Sequence, residues 1–308
     1  MRTAARGSIM KTILACGFAL LSAAAIAQDK PLKQKTFATP EEAAAALVAA
    51  TKAQDRKAQL AILGNDARPL LQSGDAVADK SAGARFVSLY EAANKLEKSG
   101  DAKAVLAIGK DAWPFPIPIV KAGEAWRFDA AAGKEELLNR RIGGNELNTM
   151  QAALAYADAQ RDYYLQNPQK DKLLQYAQKF ASTQGKRDGL YYPTKAGEPR
   201  SPLGPLFDKA KAAGYEKAGG GYHGYRYKIL KAQGPDAKGG AYSYVAQGKM
   251  IGGFALVAWP VTYGNSGVMT FMISHEGVVY EKDLGTGTSA LAEKMTRFNP
   301  DKSWKKAN

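Results

Sequence analysis

The sequence predicts an α+β protein in which N-terminal helices and a small curved sheet precede a long helix and a C-terminal antiparallel meander sheet. Three observations predict this class. Between residues 221 and 285, runs rich in aromatic and β-branched residues alternate with clusters of Gly, Asn, Asp and Ser, a pattern typical of antiparallel strands. Helical segments with capping residues fill most of the chain before that stretch. Short strand-like runs interrupt the helices between residues 104 and 129.

The N-terminal helices are predicted from the signals at their ends. Residues 39–42, Thr-Pro-Glu-Glu, form a capping box with proline at the first helical position. Asp55 is the expected cap of a second helix that ends at Gly64. Apolar residues at helical spacing predict a third helix at about 81–97.

The small sheet is expected to hold strands at 104–108, 115–120 and 125–129. In the middle run, prolines alternate with Phe and Ile, and because proline cannot donate to a strand ladder, an edge strand is predicted there. Short helices followed by a small curved sheet resemble, in the order of their elements, the cone-shaped domains of the nuclear transport factor type. Such domains often carry a pocket, but this stretch has no histidine to act as its base.

The second half of the chain is expected to begin with a helix at about 134–143. After Gly143 and Gly144 a long helix starts at Asn145 and stops at Pro168. Its predicted apolar stripe contains Leu147, Met150, Leu154, Ala157 and Tyr164. Further helices are expected at 173–180 and from about residue 205.

The C-terminal sheet is expected to pack its inner face on the preceding helices, an order of elements that is pilin-like. Its third strand is apolar on both faces, as in a central strand covered on both sides. The predicted strands are 222–231, 240–245, 253–259, 267–274 and 278–282, with a hairpin turn containing glycine at 274–277.

The first 27 residues are predicted to be a signal peptide that is cleaved near Ala27. Arg2, Arg6 and Lys11 precede or begin an apolar run that ends in small residues, as signal peptides do. Cleavage removes these three positive charges and Cys16, so the net charge falls from +14 to +11 and no thiol remains. The predicted divisions are a signal peptide at 1–27, a linker at 28–38, a helical and small-sheet domain at 39–132 and a long-helix and sheet domain at 133–308.

We therefore expect a periplasmic or secreted protein without disulfides. No stretch after the predicted signal approaches the ~20 apolar residues of a membrane span, so no span is predicted. The basic charge favours an anionic partner, such as an envelope polymer or an acidic surface of an envelope protein. Because lysines are scattered among acidic residues, no specific nucleic-acid partner is predicted.

Three strings carry a resemblance to a known family: WRFDAAAGKEELLNRRIGGNEL, GYHGYRYKIL and GGFALVAWPVTYGNSGVMTFMISHEGVVYEKDLG. They resemble a bacterial exported family known as domain of unknown function 2950. The resemblance covers nearly all of the chain after the predicted signal. It implies a location in the envelope or periplasm of a Gram-negative cell and brings no reaction or catalytic residues with it.

The residue inventory favours a binding or structural protein over an enzyme. The two histidines, His223 and His275, are not in a spacing typical of zinc sites, so no metal is predicted. Ser266, in the string Gly264-Asn265-Ser266-Gly267, lacks the Gly-x-Ser-x-Gly pattern of a nucleophile elbow. A glycine-rich turn at 283–290 resembles a dinucleotide fingerprint, but an antiparallel sheet offers no crevice for the nucleotide, so no cofactor is predicted.

Two functional hypotheses follow from the C-terminal strands. The first is a non-catalytic protein that binds an anionic polymer or a protein partner through a basic and aromatic face of the sheet. The alternative is a glycan or peptidoglycan hydrolase that uses a carboxylate near the last strand, Glu276 or Glu281. The candidate binding residues are Tyr222, His223, Tyr225, Arg226, Lys228, Tyr242, Trp259, His275 and Glu276.

Overall fold

A computed structural model describes residues 33–215 and 221–307. The predicted signal peptide and the first part of the linker lie outside the described residues. The described chain is α+β, with helices first, a small antiparallel sheet, one long helix and a C-terminal antiparallel sheet of five strands, which confirms the predicted class and order. None of the described helices combines the length and apolarity needed to cross a membrane.

Four helices open the fold: α1 (Pro40–Lys52), α2 (Arg56–Leu63), α3 (Arg68–Leu71) and α4 (Ala76–Ala92). The two predicted caps are confirmed. Thr39 Oγ1 accepts a hydrogen bond from the N–H of Glu42 at 3.1 Å, and Asp55 accepts one from the N–H of Ala58 at 2.9 Å. The side-chain oxygens thereby satisfy backbone donors that the first turn of a helix leaves free.

The third predicted helix begins and ends earlier than expected. Asp75 caps α4, and the helix stops at Ala92 instead of residue 97. Residues 94–98 form the strand β1, which pairs with the next strand along its full length. The interpretation of Leu96 as helical was therefore wrong, because strand pairing outweighs a weak helical pattern.

The small sheet contains β1 (Asn94–Lys98), β2 (Lys103–Ile108), β3 (Trp113–Pro114), β4 (Ile119–Ala122) and β5 (Ala125–Phe128). Its order is β1-β2-β4-β5, with β3 also paired to β2. The proline-rich run does not form an edge strand: it leaves the ladder at residues 115–118, and β4 lies between two neighbours. Proline lacks the N–H that a continuous ladder needs. The curl implied by the nuclear-transport-factor comparison is not found in the described residues.

The helix α5 (Ala130–Gln166) is continuous over 37 residues, so the expected break at Gly143 and Gly144 is absent within it. Its buried stripe also differs from the prediction. Leu147 is 61% exposed, whereas Tyr156 and Tyr163 are buried against the C-terminal half. In the second half of α5, alanines, tyrosines and Gln160 thus face the core, whereas Leu147 and Leu154 are exposed.

Because α5 is continuous, its glycines at 143 and 144 should be replaceable by alanine with a gain in stability. A Cβ added at Gly143 or Gly144 meets no atom within 4 Å, so replacing both with alanine should raise the free energy of unfolding by about 1–2 kcal/mol. Urea unfolding followed by circular dichroism measures the change. Gly133→Ala is the control with the opposite sign, because its Cβ would lie 2.5 Å from the carbonyl oxygen of Pro116. A less stable Gly143→Ala/Gly144→Ala protein would contradict an unbroken helix.

The segment predicted as a helix at 173–180 is irregular instead. Tyr176 forms a β-bridge with Met250. The side-chain amide of Gln160 on α5 donates to the carbonyl of Ala177 at 2.8 Å and accepts from its N–H, also at 2.8 Å. Because the side chain of Gln160 supplies both partners of the Ala177 backbone, the segment is held without helical bonds.

The C-terminal half contains the predicted antiparallel sheet. The predicted strand at 240–245 lies outside that sheet, because residues 242–243 and 245–246 pair in two separate two-stranded sheets. After α6 (Gly204–Ala212) the main sheet has the order β14-β13-β12-β11-β6. All six residues of β11 are buried, as predicted for a strand covered on both faces. The strands are β6 (Tyr225–Leu230), β7 (Ala232–Gln233), β8 (Tyr242–Ser243), β9 (Val245–Ala246), β10 (Lys249–Met250), β11 (Ala255–Pro260), β12 (Met269–Ser274), β13 (Val279–Asp283) and β14 (Lys305–Lys306), with α7 (Thr288–Lys294) between the last two.

Two hydrophobic clusters lie in the described chain. One joins α1, α2 and the small sheet, and the other joins the second half of α5 to the main sheet. The start of α5 reaches the first cluster through Ala130. The division into domains at residue 132 stays a prediction.

Candidate functional site

A cavity of about 730 Å³ lies in the N-terminal half of the described chain. Helices α1 and α4, the small sheet and the first half of α5 surround it. Much of its wall is aliphatic or aromatic, from Leu47, Phe86, Leu89, Ile108 and Phe115 among others. Small-molecule sites in proteins commonly have this size and this apolar lining with a few polar groups.

Helix α4 covers the cavity without filling it. The structure describes all 17 residues of α4, and none of them is buried. Its inner face places the small residues Ala78, Ala82 and Gly83 on the cavity wall. A helix with Phe86 and Leu89 on its inner face normally buries them, so their partial exposure follows from the empty space beneath.

Among the charged residues that line the cavity, cations outnumber anions: these residues are Arg56, Arg85, Arg140, Arg141, Asp79 and Asp111. Arg85 has no hydrogen-bond or ion-pair partner among the described residues. Arg56 contacts only the amide of Gln59 there, at 3.5 Å. Arg140 pairs with Glu136 at 2.5 Å and lies over the ring of Trp113. Arg56 and Arg85 are therefore the two cations left to meet a ligand.

Arg141 is used to hold the cavity wall together. Its guanidinium donates to the carbonyl of Pro69 and to the side-chain oxygen of Asn265, both at 2.7 Å, and to the carbonyl of Leu70. Burial lowers the pKa of Arg141, while Asp79 opposes that shift. With these bonds Arg141 joins α5 to α3 and to the turn before β12.

Asp75 fixes one end of α4 to the turn before β6. It is 2% exposed, and one carboxylate oxygen accepts from the N–H groups of Val77 and Ala78 at 3.1 and 2.9 Å. The other oxygen accepts from the hydroxyl of Tyr215 at 2.8 Å and from the N–H of Gly224 at 2.9 Å. Burial, followed by the bond to Asp75, raises the pKa of Tyr215. Both carboxylate oxygens of Asp75 are thus occupied by hydrogen bonds within the protein.

The predicted residues Tyr222, His223 and Tyr225 lie in the turn that Asp75 holds. Residues 222–225 form a hairpin with φ of 52° at His223 and 72° at Gly224, the signature of a type I′ turn. Histidine is one of the non-glycine residues that adopt positive φ more readily than most. Burial lowers the pKa of His223, and nearby Asp75 opposes the shift. Tyr225 is buried and donates to the carbonyl of Met269 at 2.9 Å.

This turn also touches the cavity wall. Asn145 lines the cavity and donates to the carbonyl of Ser266 at 2.8 Å. A Cβ at Gly224 would lie 2.6 Å from the amide nitrogen of Asn145, so only glycine fits there. Tyr222, His223 and Tyr225 therefore belong to the support of the cavity.

The predicted residues Arg226, Lys228 and Trp259 share the other face of the sheet, which α7 covers. Lys228 donates to the carbonyls of Glu293 and Met295 at 2.6 and 2.7 Å, at the C-terminal end of α7. Arg226 pairs with Glu293 at 3.4 Å. A cation at a helix C-terminus is favourable, so both residues fasten α7 to the sheet. This side of β6 is therefore only partly exposed.

The remaining predicted residues, Tyr242, His275 and Glu276, form a third group. The ring of Tyr244 lies 5.5 Å from that of Tyr242 and 5.6 Å from that of His275. Glu276 accepts from Lys238 at 2.9 Å, a bond that lowers the pKa of Glu276. The buried Nδ1 of His275 has no hydrogen-bond partner among the described residues. The nine predicted residues are thus divided among three places.

The described residues lining the cavity offer apolar contact surface and guanidinium groups. Over residues 33–215 and 221–307 there is no group of three or more His, Cys, Asp or Glu suited to a metal ion. The sequence interpretation missed Arg56, Gln59, Asp79 and Arg85. A signal was present in α4, where alanines and a glycine occupy the inner face beside Phe86, because small residues there leave room for a ligand or a close neighbour.

Comparison with known families identifies the chain. The model of the family described as "Protein of unknown function (DUF2950)" matches residues 34–307, which confirms the resemblance seen in the sequence. No curated protein and no solved structure matches the chain. The family description assigns no ligand or reaction, so function has to be inferred from the geometry.

Proposed function

The chain belongs to the DUF2950 family, and we propose that it is an exported, non-catalytic binding protein that holds an amphipathic anion in the cavity beneath α4. The observation that carries this proposal is the cavity itself, with an apolar wall and two arginines lacking carboxylate partners among the described residues. The ligand class is a molecule with an aliphatic or aromatic body and one acidic group, such as a fatty acid or a lipid fragment.

The apolar wall sets the body of the ligand. Apolar surface that leaves water on binding lowers the free energy of the complex, by about 25 cal/mol for each Å² buried. Because Phe86, Leu89 and Ile108 are already in place around an empty volume, little side-chain ordering is needed on binding. A preformed apolar cavity favours a hydrophobic body over a polar polymer.

The arginines set the head group. Arg56 and Arg85 carry charges that the described protein does not neutralise, whereas Arg140 and Arg141 are engaged. Guanidinium groups bind carboxylate and phosphate with paired, charge-assisted hydrogen bonds. An acidic group on the side of the cavity formed by α2 and α4 therefore gains charge-assisted hydrogen bonds that an alcohol does not.

The cavity under α4 is a better candidate for the binding site than the basic and aromatic face of the C-terminal sheet. On that face Arg226 and Lys228 already hold α7, so they are less available to a polymer or protein partner. For the hydrolase alternative, Glu276 lies in a turn and is paired with Lys238. A non-catalytic role in the envelope remains the common part of the sequence hypothesis and of this proposal.

A displacement assay tests the ligand class. N-phenyl-1-naphthylamine, a neutral fluorescent reporter of apolar cavities, is bound first and then displaced by dodecanoate or by 1-dodecanol. Dodecanoate should displace it at a concentration about tenfold lower than dodecanol, since only the acid gains charge-assisted bonds. In the Arg56→Gln/Arg85→Gln protein this advantage should disappear while dodecanol binding stays unchanged.

The control removes two charges from the same helices without touching the cavity. Lys57 and Lys80 are exposed, lie on α2 and α4, and do not line the cavity. The Lys57→Gln/Lys80→Gln protein should keep the preference for dodecanoate. The proposal fails if the reporter does not bind the parent protein, or if the preference survives the loss of both arginines.

A further inference from the structure

A second concave site lies in the C-terminal half of the described chain, apart from the cavity under α4. It has a volume of about 420 Å³ and is bounded by the end of α5, the irregular segment after it, Asp188, Lys231 and the turn between β9 and β10. Its lining is polar, with glutamine, lysine, aspartate and tyrosine side chains. A site of this composition suits a ligand with many hydroxyl groups.

Two glutamines of this site are fixed by hydrogen bonds from their side-chain N–H groups, while their side-chain oxygens can accept hydrogen bonds from a ligand. Gln169 donates to the hydroxyl of Tyr163 at 2.8 Å, and Gln175 donates to the carboxylate of Asp171. Within the described residues, the side-chain oxygens of both glutamines have no donor. Fixed acceptors of this kind bind hydroxyl groups with little loss of side-chain entropy.

Aromatic contacts fix the ring of Tyr176. It is stacked on the ring of Tyr164 at 5.0 Å and meets the edge of Phe254 at 4.9 Å. Its hydroxyl has no hydrogen-bond partner among the described residues. Burial raises the pKa of Tyr176, so the group stays protonated and can both donate and accept.

The charges of the site leave one cation without a carboxylate. Lys249 pairs with Asp171 at 2.8 Å, and Lys179 pairs with Asp188 at 2.7 Å. Lys231 contacts the amide oxygen of Gln178 at 3.0 Å instead. The site therefore carries one positive charge that an acidic group of a ligand can neutralise.

We propose that this polar site binds a saccharide unit that carries one acidic group. Glutamine oxygens and the Tyr176 hydroxyl meet the sugar hydroxyls, and Lys231 meets the acid. The volume holds about one or two pyranose rings, within the range of small-ligand sites. The residues of this polar site are distant in sequence from Arg56 and Arg85, so binding there does not depend on the function proposed for the cavity.

Isothermal titration calorimetry with two matched disaccharides tests the site. The acidic probe is N-acetylglucosaminyl-N-acetylmuramic acid, and the neutral probe is N,N′-diacetylchitobiose, which lacks the lactyl carboxylate. The acidic probe should bind about tenfold more tightly than N,N′-diacetylchitobiose, because only it forms an ion pair with Lys231. Lys231→Gln should remove that difference, and Gln169→Leu should weaken both probes.

Two controls separate this site from general charge and from the cavity. Lys172→Gln removes the same charge from an exposed neighbour that does not line the site, and it should bind as the parent does. The Arg56→Gln/Arg85→Gln protein should also bind both disaccharides normally. Absence of heat with either probe at millimolar concentration overturns the proposal, and so does an acidic preference that Lys231→Gln leaves intact.

Discussion

Replacing Asp75 with alanine is expected to lower the free energy of unfolding by about 3–5 kcal/mol. The change removes the cap of α4, an effect of about 1 kcal/mol. It also leaves the half-buried hydroxyl of Tyr215 and the buried N–H of Gly224 without their charged acceptor, which together costs about 2–4 kcal/mol. Urea unfolding followed by tryptophan fluorescence measures the loss. Because Asp75 joins α4 to the β6 turn, the same protein should bind the cavity reporter more weakly.

Asp55→Ala is the matched control for this prediction. Asp55 also caps a helix, through a 2.9 Å bond from the N–H of Ala58, but it is exposed and holds no second segment. Its removal should cost only about 1 kcal/mol. Asp75→Asn keeps one capping oxygen and turns an acceptor for Tyr215 and Gly224 into a donor, so it should recover only part of the loss. Equal effects of Asp55→Ala and Asp75→Ala would show that Asp75 is merely a cap.

Much of the fold followed from local patterns that the sequence states directly. The caps at Thr39 and Asp55, the buried strand β11 and the hairpin turn that ends at Gly277 depend on residues close together in the chain. Such features are decided by backbone chemistry and by periodicity. They were predicted for that reason.

Two of the wrong predictions share a physical cause, which is that a distant partner decided the local structure. Residues 94–98 pair with β2 and so leave the helical state. The segment around Ala177 is held by Gln160 and by the bridge from Tyr176 to Met250. At Gly143 and Gly144, the helix continues although glycine disfavours it by about 1 kcal/mol per residue.

The candidate site was only partly accessible to sequence analysis. The aromatic and basic residues of the C-terminal strands were visible as types, but the sequence did not show that α7 lies over Arg226 and Lys228. The cavity arises from a mismatch between the small inner face of α4 and the sheet beneath, and no local pattern encodes an empty volume. Charge at Arg56 and Arg85 becomes informative only once that volume is known.

Replacing Gln160 with leucine is expected to destabilise the protein by about 2–4 kcal/mol. Gln160 is 0% exposed, and its amide supplies both partners of the Ala177 backbone and a bond to the hydroxyl of Tyr156 at 3.0 Å. Leucine has a similar volume but no polar side-chain atoms, so the buried N–H and C=O of Ala177 lose their partners, at about 1–2 kcal/mol each. The measurement is urea unfolding at neutral pH.

Gln151→Leu provides the same substitution on the same helix at an exposed position. It should change stability by no more than about 0.5 kcal/mol, as surface substitutions usually do. Because the Ala177 clamp positions the segment that lines the polar site, Gln160→Leu should also weaken binding of the acidic disaccharide, whereas Gln151→Leu should not. If both leucine variants were equally stable, backbone bridging through Tyr176 and Met250 would hold that segment alone, and the amide of Gln160 would add nothing measurable.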